Sequence, residues 1–321
     1  MDRAIGGYFE LELNQGEHYH KDAIKLNTAR NCLEYILRAK HYRKIYIPFY
    51  TCEVILEPIE KLKLDYEFYH IDNELNPIFE KGLHADEVFL YTNYYGVKQE
   101  TVERVATRFK NVIIDSSQAF FSPPLNGIDT FYSARKFFGV PDGAYLYTDT
   151  YLNDELEQDT SFERMSHLVK RIEFGAEAGY TDFCVNDQSL ECQAIKKMSK
   201  LTDTLLTGLN YDAIREKRKN NFNFVHQKLR ASNQFTFGRT SLVAPMVYPY
   251  WSSQEGLRSK LIANKIFVST YWKNVLEWVS SEGIEQTFVN ELLPLPIDQR
   301  WDENDMEKMI KMIGINMLNQ Q

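Results

Sequence analysis

The stretch of sequence that decides the fold covers residues 111–149 and reads NVIIDSSQAFFSPPLNGIDTFYSARKFFGVPDGAYLYTD. A short apolar run at 112–114 ends on the carboxylate of Asp115, and a second apolar run follows at 128–132. Lys136 lies 21 positions after Asp115, a separation that fits one loop and one strand. This order predicts two neighbouring strands, with a carboxylate at the end of the first and a lysine just beyond the second.

A carboxylate and a lysine placed in this way are the pair that pyridoxal 5′-phosphate (PLP) requires. The lysine forms a Schiff base with the cofactor, and the acid pairs with the pyridinium nitrogen, which makes the ring an electron sink. Each residue alone has a simpler explanation, Lys136 as an exposed lysine and Asp115 as the cap of a turn. We interpret the combination as a PLP site with Lys136 and Asp115 as its catalytic residues.

Two further features predict a site for the cofactor phosphate. Ser133 lies three residues before Lys136, where its hydroxyl can donate to a phosphate oxygen. Thr28, Ala29 and Arg30 precede an apolar helical pattern, and free N–H groups at a helix start form an anion site. A plain helix cap also explains Thr28. The order along the chain, helix start, carboxylate and then Ser-x-x-Lys, favours a single cofactor site.

The first half of the chain alternates short apolar runs with helical patterns. We predict strands and helices in the order strand, helix, strand, strand, helix at 44–48, 53–62, 65–70, 87–92 and 99–109. Such alternation is typical of an α/β protein with a mostly parallel sheet covered by helices. Ligands bind such sheets outside the carboxyl ends of the strands, where Asp115 is predicted to lie.

The second half has a different character. Residues 153–209 are interpreted as long and helical, most clearly at 189–206, and residues 211–229 as a further helix. In the last third of the chain we predict a strand, a helix, a strand and a closing helix at 243–250, 254–264, 266–270 and 302–318. A boundary near residues 209–212 would divide the chain into a large domain, 1–209, and a small domain, 210–321.

Composition is that of an ordinary soluble globular protein, with 44% hydrophobic and 26% charged residues. The formal net charge of −8 gives no general attraction to nucleic acid or anionic membrane. No window approaches the roughly 18 apolar residues of a membrane span, and the first 20 residues lack the core of a secretory signal. The four cysteines show no zinc spacing, and His18 and His20 have no third ligand nearby. We therefore expect a cytoplasmic protein with no metal site.

Several motifs resemble those of the DegT/StrS sugar aminotransferase family, PLP-dependent enzymes of fold type I related to aspartate aminotransferase. Asp115-Ser-Ser-Gln118 is similar to the family's D-x-[AS]-[QH], and Lys136 with Gly143 to its Schiff-base lysine and glycine turn. Further resemblances extend over most of the chain, in NTAR at 27–30, IPFYT at 47–51, NYYG at 93–96 and LPLP at 293–296.

The resemblance implies a large domain with a mostly parallel seven-stranded sheet between helices and a small C-terminal α+β domain. It also implies that Gln118 contacts the phenolic O3′ of PLP. Cys52 stands where many members carry an aromatic residue that stacks on the cofactor ring, so Tyr50 or Tyr94 is expected to stack instead. Asn186, at the end of the segment 176–186, is expected to reach the phosphate of the partner in a homodimer with shared sites.

The activity that the resemblance implies is transamination from an amino acid, glutamate, to a nucleotide-linked keto-sugar in cell-surface polysaccharide or secondary metabolite biosynthesis. No arginine is clearly placed to clamp the second carboxylate of a dicarboxylic acid, although Arg135, Arg239 and Arg258 leave that question open.

Four alternatives remain at this point. One is a PLP enzyme acting on a non-sugar substrate. A second is a sugar dehydratase, disfavoured because those variants carry histidine in place of the lysine. A third is a non-catalytic regulator of the same fold, disfavoured by the intact Asp115 and Lys136. The last is a nucleotide-binding protein without PLP, weakened by the lack of GxGxxG and GxxxxGK[ST] motifs.

Overall fold

A single large sheet forms the centre of the molecule in the computed structural model, which describes residues 5–238, 242–280 and 282–314. Its strands are β1 (Ile24–Leu26), β2 (Lys44–Pro48), β3 (Asp65–Ile71), β4 (Pro77–Ile78), β5 (Glu87–Thr92), β6 (Val112–Asp115), β7 (Asp129–Ser133) and β8 (Ala144–Tyr147). The spatial order is β1-β8-β7-β6-β5-β2-β3-β4. The five central strands, β7 to β3 in this order, are parallel, whereas β1, β8 and β4 pair antiparallel with their neighbours.

The sheet therefore has eight strands among the described residues, where seven were predicted. The short strand β4 returns against the end of β3 through a turn at Asp72. The Asp72 carboxylate accepts hydrogen bonds from the backbone N–H groups of Glu74 and Asn76, both at 2.8 Å. Asp is well suited to such a turn because its short side chain reaches the backbone two residues on.

Helices cover both faces of the sheet. They are α1 (Ala29–Lys40), α2 (Leu56–Lys61), α3 (Gln99–Arg108), α4 (Ser166–Phe174), α5 (Tyr180–Ser189), α6 (Lys200–Thr207), α7 (Tyr211–Leu229), α8 (Leu257–Ala263), α9 (Val275–Trp278), α10 (Ile284–Glu291) and α11 (Glu303–Ile313). Two further strands, β9 (Val247–Trp251) and β10 (Leu292–Pro296), pair antiparallel in a separate small sheet.

Burial on both faces explains why the central strands have continuous apolar sequences. Every residue of β5 is buried. Val88 and Leu90 pack into the cluster that includes α1, and Phe89 and Tyr91 pack into the larger cluster on the other face. Parallel strands that are covered by helices on both sides have this continuous pattern. The strands and helices predicted between residues 44 and 149 are confirmed, with ends that differ by at most one residue, except that residues 53–55 of the helix predicted at 53–62 form a short 3-10 helix before α2.

The predicted helix at 189–206 is wrong for its first half. Residues 190–199 contain no regular helix, and Lys197 forms isolated bridges with Leu26 and Gln158. Asn27 N donates to Lys196 O at 3.0 Å, and the side-chain amides of Asn27 and Asn31 both donate to Ala194 O. This backbone is therefore satisfied by partners from the sheet edge and α1, which local sequence patterns do not reveal.

The predicted strand at 266–270 is also wrong, because β9 pairs with β10 instead. A left-handed residue, Lys265, turns the chain after α8, and the Arg258 guanidinium donates to Ser269 O. The closing helix α11 is confirmed, with Asp302 as its N-cap in a capping box. Residues 315–318 of that predicted helix lie outside the described residues. The domain boundary near residues 209–212 stays a prediction.

Candidate active site

A cleft opens at the carboxyl ends of the parallel strands, on the face of the sheet that α1 covers. Seven of the ten residues predicted for the site line this cleft, namely Thr28, Ala29, Arg30, Asp115, Gln118, Ser133 and Lys136. They come from the start of α1, the ends of β6 and β7, and the loops after those strands. The geometry thus places the lysine, the carboxylate and the helix start around a single cavity.

Asp115 is the last residue of β6, and a turn orients its side chain. One carboxylate oxygen accepts a hydrogen bond from Ser117 N at 2.8 Å. The neighbouring strands place Thr92 and Phe131 directly beside it, in parallel register. The side chain is half-buried and lines the cleft. A carboxylate held in this way can bind a protonated ring nitrogen.

Lys136 lies three residues beyond β7, and its Nζ donates to Ser117 Oγ at 3.1 Å. The loop that carries it is tied at two points. Ala134 N donates to Gly143 O at 3.0 Å, and Phe137 O accepts from Gln299 Nε2 at 2.8 Å. The loop fixes the backbone and leaves the long side chain exposed to the cleft.

The start of α1 is bonded directly to the loop that follows the lysine. Thr28 is the N-cap, and its hydroxyl accepts from Asn31 N at 3.1 Å. Gly143 N donates to Asn27 O at 2.6 Å. Gly143 has φ +109°, and a Cβ there would lie 2.9 Å from the Thr202 methyl, so only glycine fits this junction. The helix start and the lysine loop are therefore held as one unit.

Two buried polar atoms of the cleft have no hydrogen-bond partner in the structure, Gln118 Nε2 and Thr92 Oγ1. Gln118 is 0% exposed and Thr92 is 2% exposed. Tyr95 N donates to Gln118 Oε1 at 2.9 Å, which orients the amide. A buried donor without a partner is costly unless a ligand satisfies it.

The structure does not bring Tyr50 and Tyr94 to the cleft, which corrects their predicted stacking role. Both are 0% exposed and lie in the core. Tyr50 OH pairs with Tyr95 OH at 2.9 Å, and Tyr94 OH donates to Tyr50 O at 2.9 Å. Both tyrosines therefore pack in the core and do not face the cleft.

Asn186 also lies away from the lining of the cleft. Its side chain is buried, and its amide donates to Pro141 O at 3.0 Å. That contact fixes α5 against the turn before Gly143. The predicted contact of Asn186 with the phosphate of a partner subunit stays a prediction.

Sequence reasoning missed the outer wall of the cleft, which Tyr271 and Trp272 form. These residues lie between α8 and α9, more than 130 positions after Lys136. Asn274 Nδ2 donates to Thr51 O at 3.0 Å and ties this segment to the loop after β2. No local signal marked this pair, because the contact is made only in the folded chain.

Cys52, the residue in the place of the expected aromatic, also lines the cleft. Burial raises the pKa of its thiol. The side chain is therefore a neutral, compact group at neutral pH, and it leaves room where a ring would otherwise lie.

The two N-terminal histidines take part in packing contacts. His18 bonds Tyr145 OH at 2.7 Å and Asp203 at 3.1 Å, and His20 bonds Phe120 O at 2.7 Å. Burial lowers the pKa of His20 to about 4. Within residues 5–238, 242–280 and 282–314, no cluster of three His, Cys, Asp or Glu side chains is placed to hold a metal ion. In the same part of the chain, no helix is both long and apolar enough to cross a membrane.

Comparison with solved structures identifies the fold. The chain is similar to a DegT DnrJ EryC1 StrS aminotransferase from Brucella abortus, with 15% identity, TM-score 0.61, and 91% of this chain and 84% of that one covered. It is also similar to the PLP form of Spr1654 from Streptococcus pneumoniae, with 13% identity, TM-score 0.63, and 91% and 86% covered. A third similar structure is CalS13, a sugar aminotransferase from Micromonospora echinospora, with 13% identity, TM-score 0.60, and 91% and 87% covered.

A scan against protein-family models and a search of curated proteins found no match. The predicted fold is confirmed by the structural likenesses, and the resemblance to the DegT/StrS family is confirmed at the level of the fold.

Proposed function

We propose that this chain is a PLP-dependent aminotransferase that transfers an amino group from an amino acid to a keto-sugar. The observation that carries the proposal is the meeting of Lys136, Asp115 and the start of α1 in one cleft. These three features are distant in sequence, and each supplies a different group that PLP needs. The fold shared with known aminotransferases supports the same proposal.

The residues of the cleft fit the chemical groups of PLP one by one. The free backbone N–H groups at the start of α1, with the Ser133 hydroxyl, suit the phosphate. The carboxylate of Asp115 suits the ring nitrogen, and the unpaired Gln118 Nε2 suits a phenolic oxygen. Leaving such a donor buried and unpaired costs about 1–3 kcal/mol, which a ligand of this shape would recover.

PLP, when bound, supplies an electron sink for negative charge that develops on the carbon of the substrate. Asp115 keeps the ring nitrogen protonated, so the sink stays effective. Lys136 would anchor the cofactor and, as a free amine, would hold and move a proton at Nζ. Ser117 Oγ accepts a hydrogen bond from Lys136 Nζ and so keeps the amine inside the cleft when it is not bonded to the cofactor.

The charges of the cleft support a keto-sugar over a dicarboxylic acid. Arg135 pairs with Asp187 at 3.0 Å, and Arg30 pairs with Glu57 at 2.7 Å. The two arginines that line the cleft in the described part of the chain thus already have carboxylate partners. The Arg258 guanidinium donates to the backbone carbonyls of Val289 and Leu292. Arg239 lies outside the described residues.

The outer wall supports the same choice of substrate. Tyr271 and Trp272 present flat, largely apolar side chains to the cleft. Such surfaces pack well against the faces of a sugar ring while their polar atoms contact hydroxyl groups. The nucleotide link of the sugar and glutamate as the donor remain part of the proposal and rest on the family resemblance.

The experiment that tests the function follows the two half-reactions by absorbance. PLP added to the purified protein should produce a visible band, glutamate should remove it, and a nucleotide-linked keto-hexose should restore it. The titration repeated with pyridoxal, which lacks the phosphate, should show much weaker binding because the anion site at α1 is then unused. Absence of a visible band would rule out PLP, and efficient cycling by aspartate and oxaloacetate without any keto-sugar would rule out the sugar.

We also propose that the chain is a homodimer whose partner covers an apolar surface of helices α4 and α5. This α4–α5 face has side chains that are 45% to 84% exposed, Val169, Ile172, Phe174, Tyr180, Phe183 and Val185. Helix α5 also contributes Asp187 to the lining of the cleft. A large exposed apolar patch next to the cleft suits a second copy that completes the site.

Ile172→Glu should convert the dimer to a monomer and lower activity in parallel. Ile172 is 84% exposed, so a charge there does not disturb the fold of one chain but is costly in an apolar interface. Sedimentation velocity measures the change. Ile78→Glu, a matched control on strand β4 with 55% exposure, should leave the dimer intact. A monomeric wild type, or a dimeric Ile172→Glu variant, would contradict the proposed interface.

A further inference from the structure

Thr92 is a buried hydroxyl in the cleft to which the proposed function has so far given no task. It is the last residue of β5 and 2% exposed, and its Oγ1 has no hydrogen-bond partner. It lines the same cavity as Lys136 and Asp115. A threonine hydroxyl in a strand usually bonds to backbone or water, so an unpaired one that faces a cavity indicates a ligand contact.

Strand order locates Thr92 relative to the groups already assigned. Thr92, Asp115 and Ser133 lie on the adjacent strands β5, β6 and β7, in that spatial order. Thr92 pairs directly with Asp115, and alternation along the strands puts all three side chains on the same face of the sheet. Adjacent strands are about 4.8 Å apart. Thr92 therefore lies on the side of Asp115 away from Ser133.

The phosphate site is on the Ser133 side. Helix α1, whose start would hold the phosphate, makes its main contacts with the sheet at β7 and β8. A flat ring with its nitrogen at Asp115 and its phosphate toward Ser133 would present its opposite edge to Thr92. That edge of a pyridoxal ring carries a methyl group next to the ring nitrogen and, beyond it, the polar phenolic oxygen.

We infer that the Thr92 hydroxyl is a further binding group of this site, which contacts the polar edge of the cofactor ring on the side away from the phosphate. The inference rests on the proposed function, because it assumes a pyridoxal ring in the cleft. It assigns Thr92 Oγ1 and Gln118 Nε2, the two buried polar atoms of the lining without a partner, to the same ligand. The Thr92 hydroxyl then stabilises the PLP-bound protein and does not stabilise the cofactor-free protein.

The test compares Thr92→Val and Thr92→Ser with the wild type in two measurements. Thr92→Val should weaken binding of PLP about tenfold, equivalent to about 1.4 kcal/mol. It should leave the melting temperature of the cofactor-free protein unchanged or raised, because it removes an unpaired buried hydroxyl and keeps the shape. Thr92→Ser, which keeps the hydroxyl, should restore most of the affinity. The affinity for pyridoxal should fall by the same factor, since the contact does not involve the phosphate.

Thr130→Val is the matched control. Thr130 is 1% exposed on β7, and its Oγ1 already donates to Ile128 O at 3.1 Å. That variant should lower the melting temperature and leave the affinity for PLP unchanged. Unchanged affinity in Thr92→Val would overturn the inference, and so would a drop in the melting temperature as large as that of the control. Both outcomes leave the proposed function intact, since they concern one contact and not whether the wild type binds PLP or which substrate it uses.

Discussion

Lys136→Ala should abolish turnover, with a loss of roughly 10⁴-fold or more, because one residue supplies both the anchor for the cofactor and the base that moves the proton. The variant should still bind PLP, since the helix start and Asp115 are untouched, but it should not form the covalent link. Reduction with borohydride followed by peptide mass spectrometry should find the label on Lys136 in the wild type and nowhere in the variant.

Lys110→Ala is the control for this experiment, because Lys110 is exposed and lies in the turn between α3 and β6. It should retain full activity and the label on Lys136. A label on another lysine of the wild-type protein, or normal turnover in Lys136→Ala, would show that the lysine has been wrongly assigned.

Asp115→Asn should keep the cofactor bound and lower kcat by roughly 10³-fold, the size of effect seen when a charge-stabilising group is removed from an active site. Asparagine has nearly the same shape, and its oxygen can still accept from Ser117 N, so the cleft stays formed. The amide cannot hold a proton on the ring nitrogen by ionic pairing, so the electron sink weakens. An interaction made mainly in the transition state lowers kcat when it is lost.

The control for this variant is Asp129→Asn, at the opposite end of the neighbouring strand. Asp129 is buried and pairs with Lys40 at 3.6 Å, well away from the cleft lining. Loss of this ion pair is expected to lower the free energy of unfolding and to leave kcat unchanged. Turnover near that of the wild type in Asp115→Asn would remove Asp115 from the mechanism.

Local sequence was a good guide where each residue's environment follows from its neighbours along the chain. The strands β2, β5, β6 and β7 were found because a sheet buried on both faces requires unbroken apolar runs. Asp115 and Lys136 were found because strand ends and the loops after them lie at the same edge of a parallel sheet. Thr28 was found because helix starts have a recognisable capping residue.

Local sequence failed where a segment is shaped by partners that are distant along the chain. Residues 190–199 have a helical composition, but Asn27 and Asn31 bind their backbone and keep it extended. Tyr50 looked like a stacking residue, but a tyrosine in a motif can turn to the core as readily as to the cleft, and here it bonds Tyr95. Trp272 was missed for the same reason.

The sequence by itself determined the class of fold and the order of strands and helices along the first half of the chain. It also determined the carboxylate at the end of one strand and the lysine just beyond the next, because hydrophobic periodicity and strand-end chemistry are local properties. Only the tertiary structure decided which aromatic residues face the cleft, how the arginines are paired, and that Thr92 Oγ1 and Gln118 Nε2 are left without partners. These depend on contacts between residues far apart in the chain. Two polar groups form a hydrogen bond only when the folded backbone brings them to within about 3 Å of each other. A group that the fold leaves without such a neighbour stays unpaired.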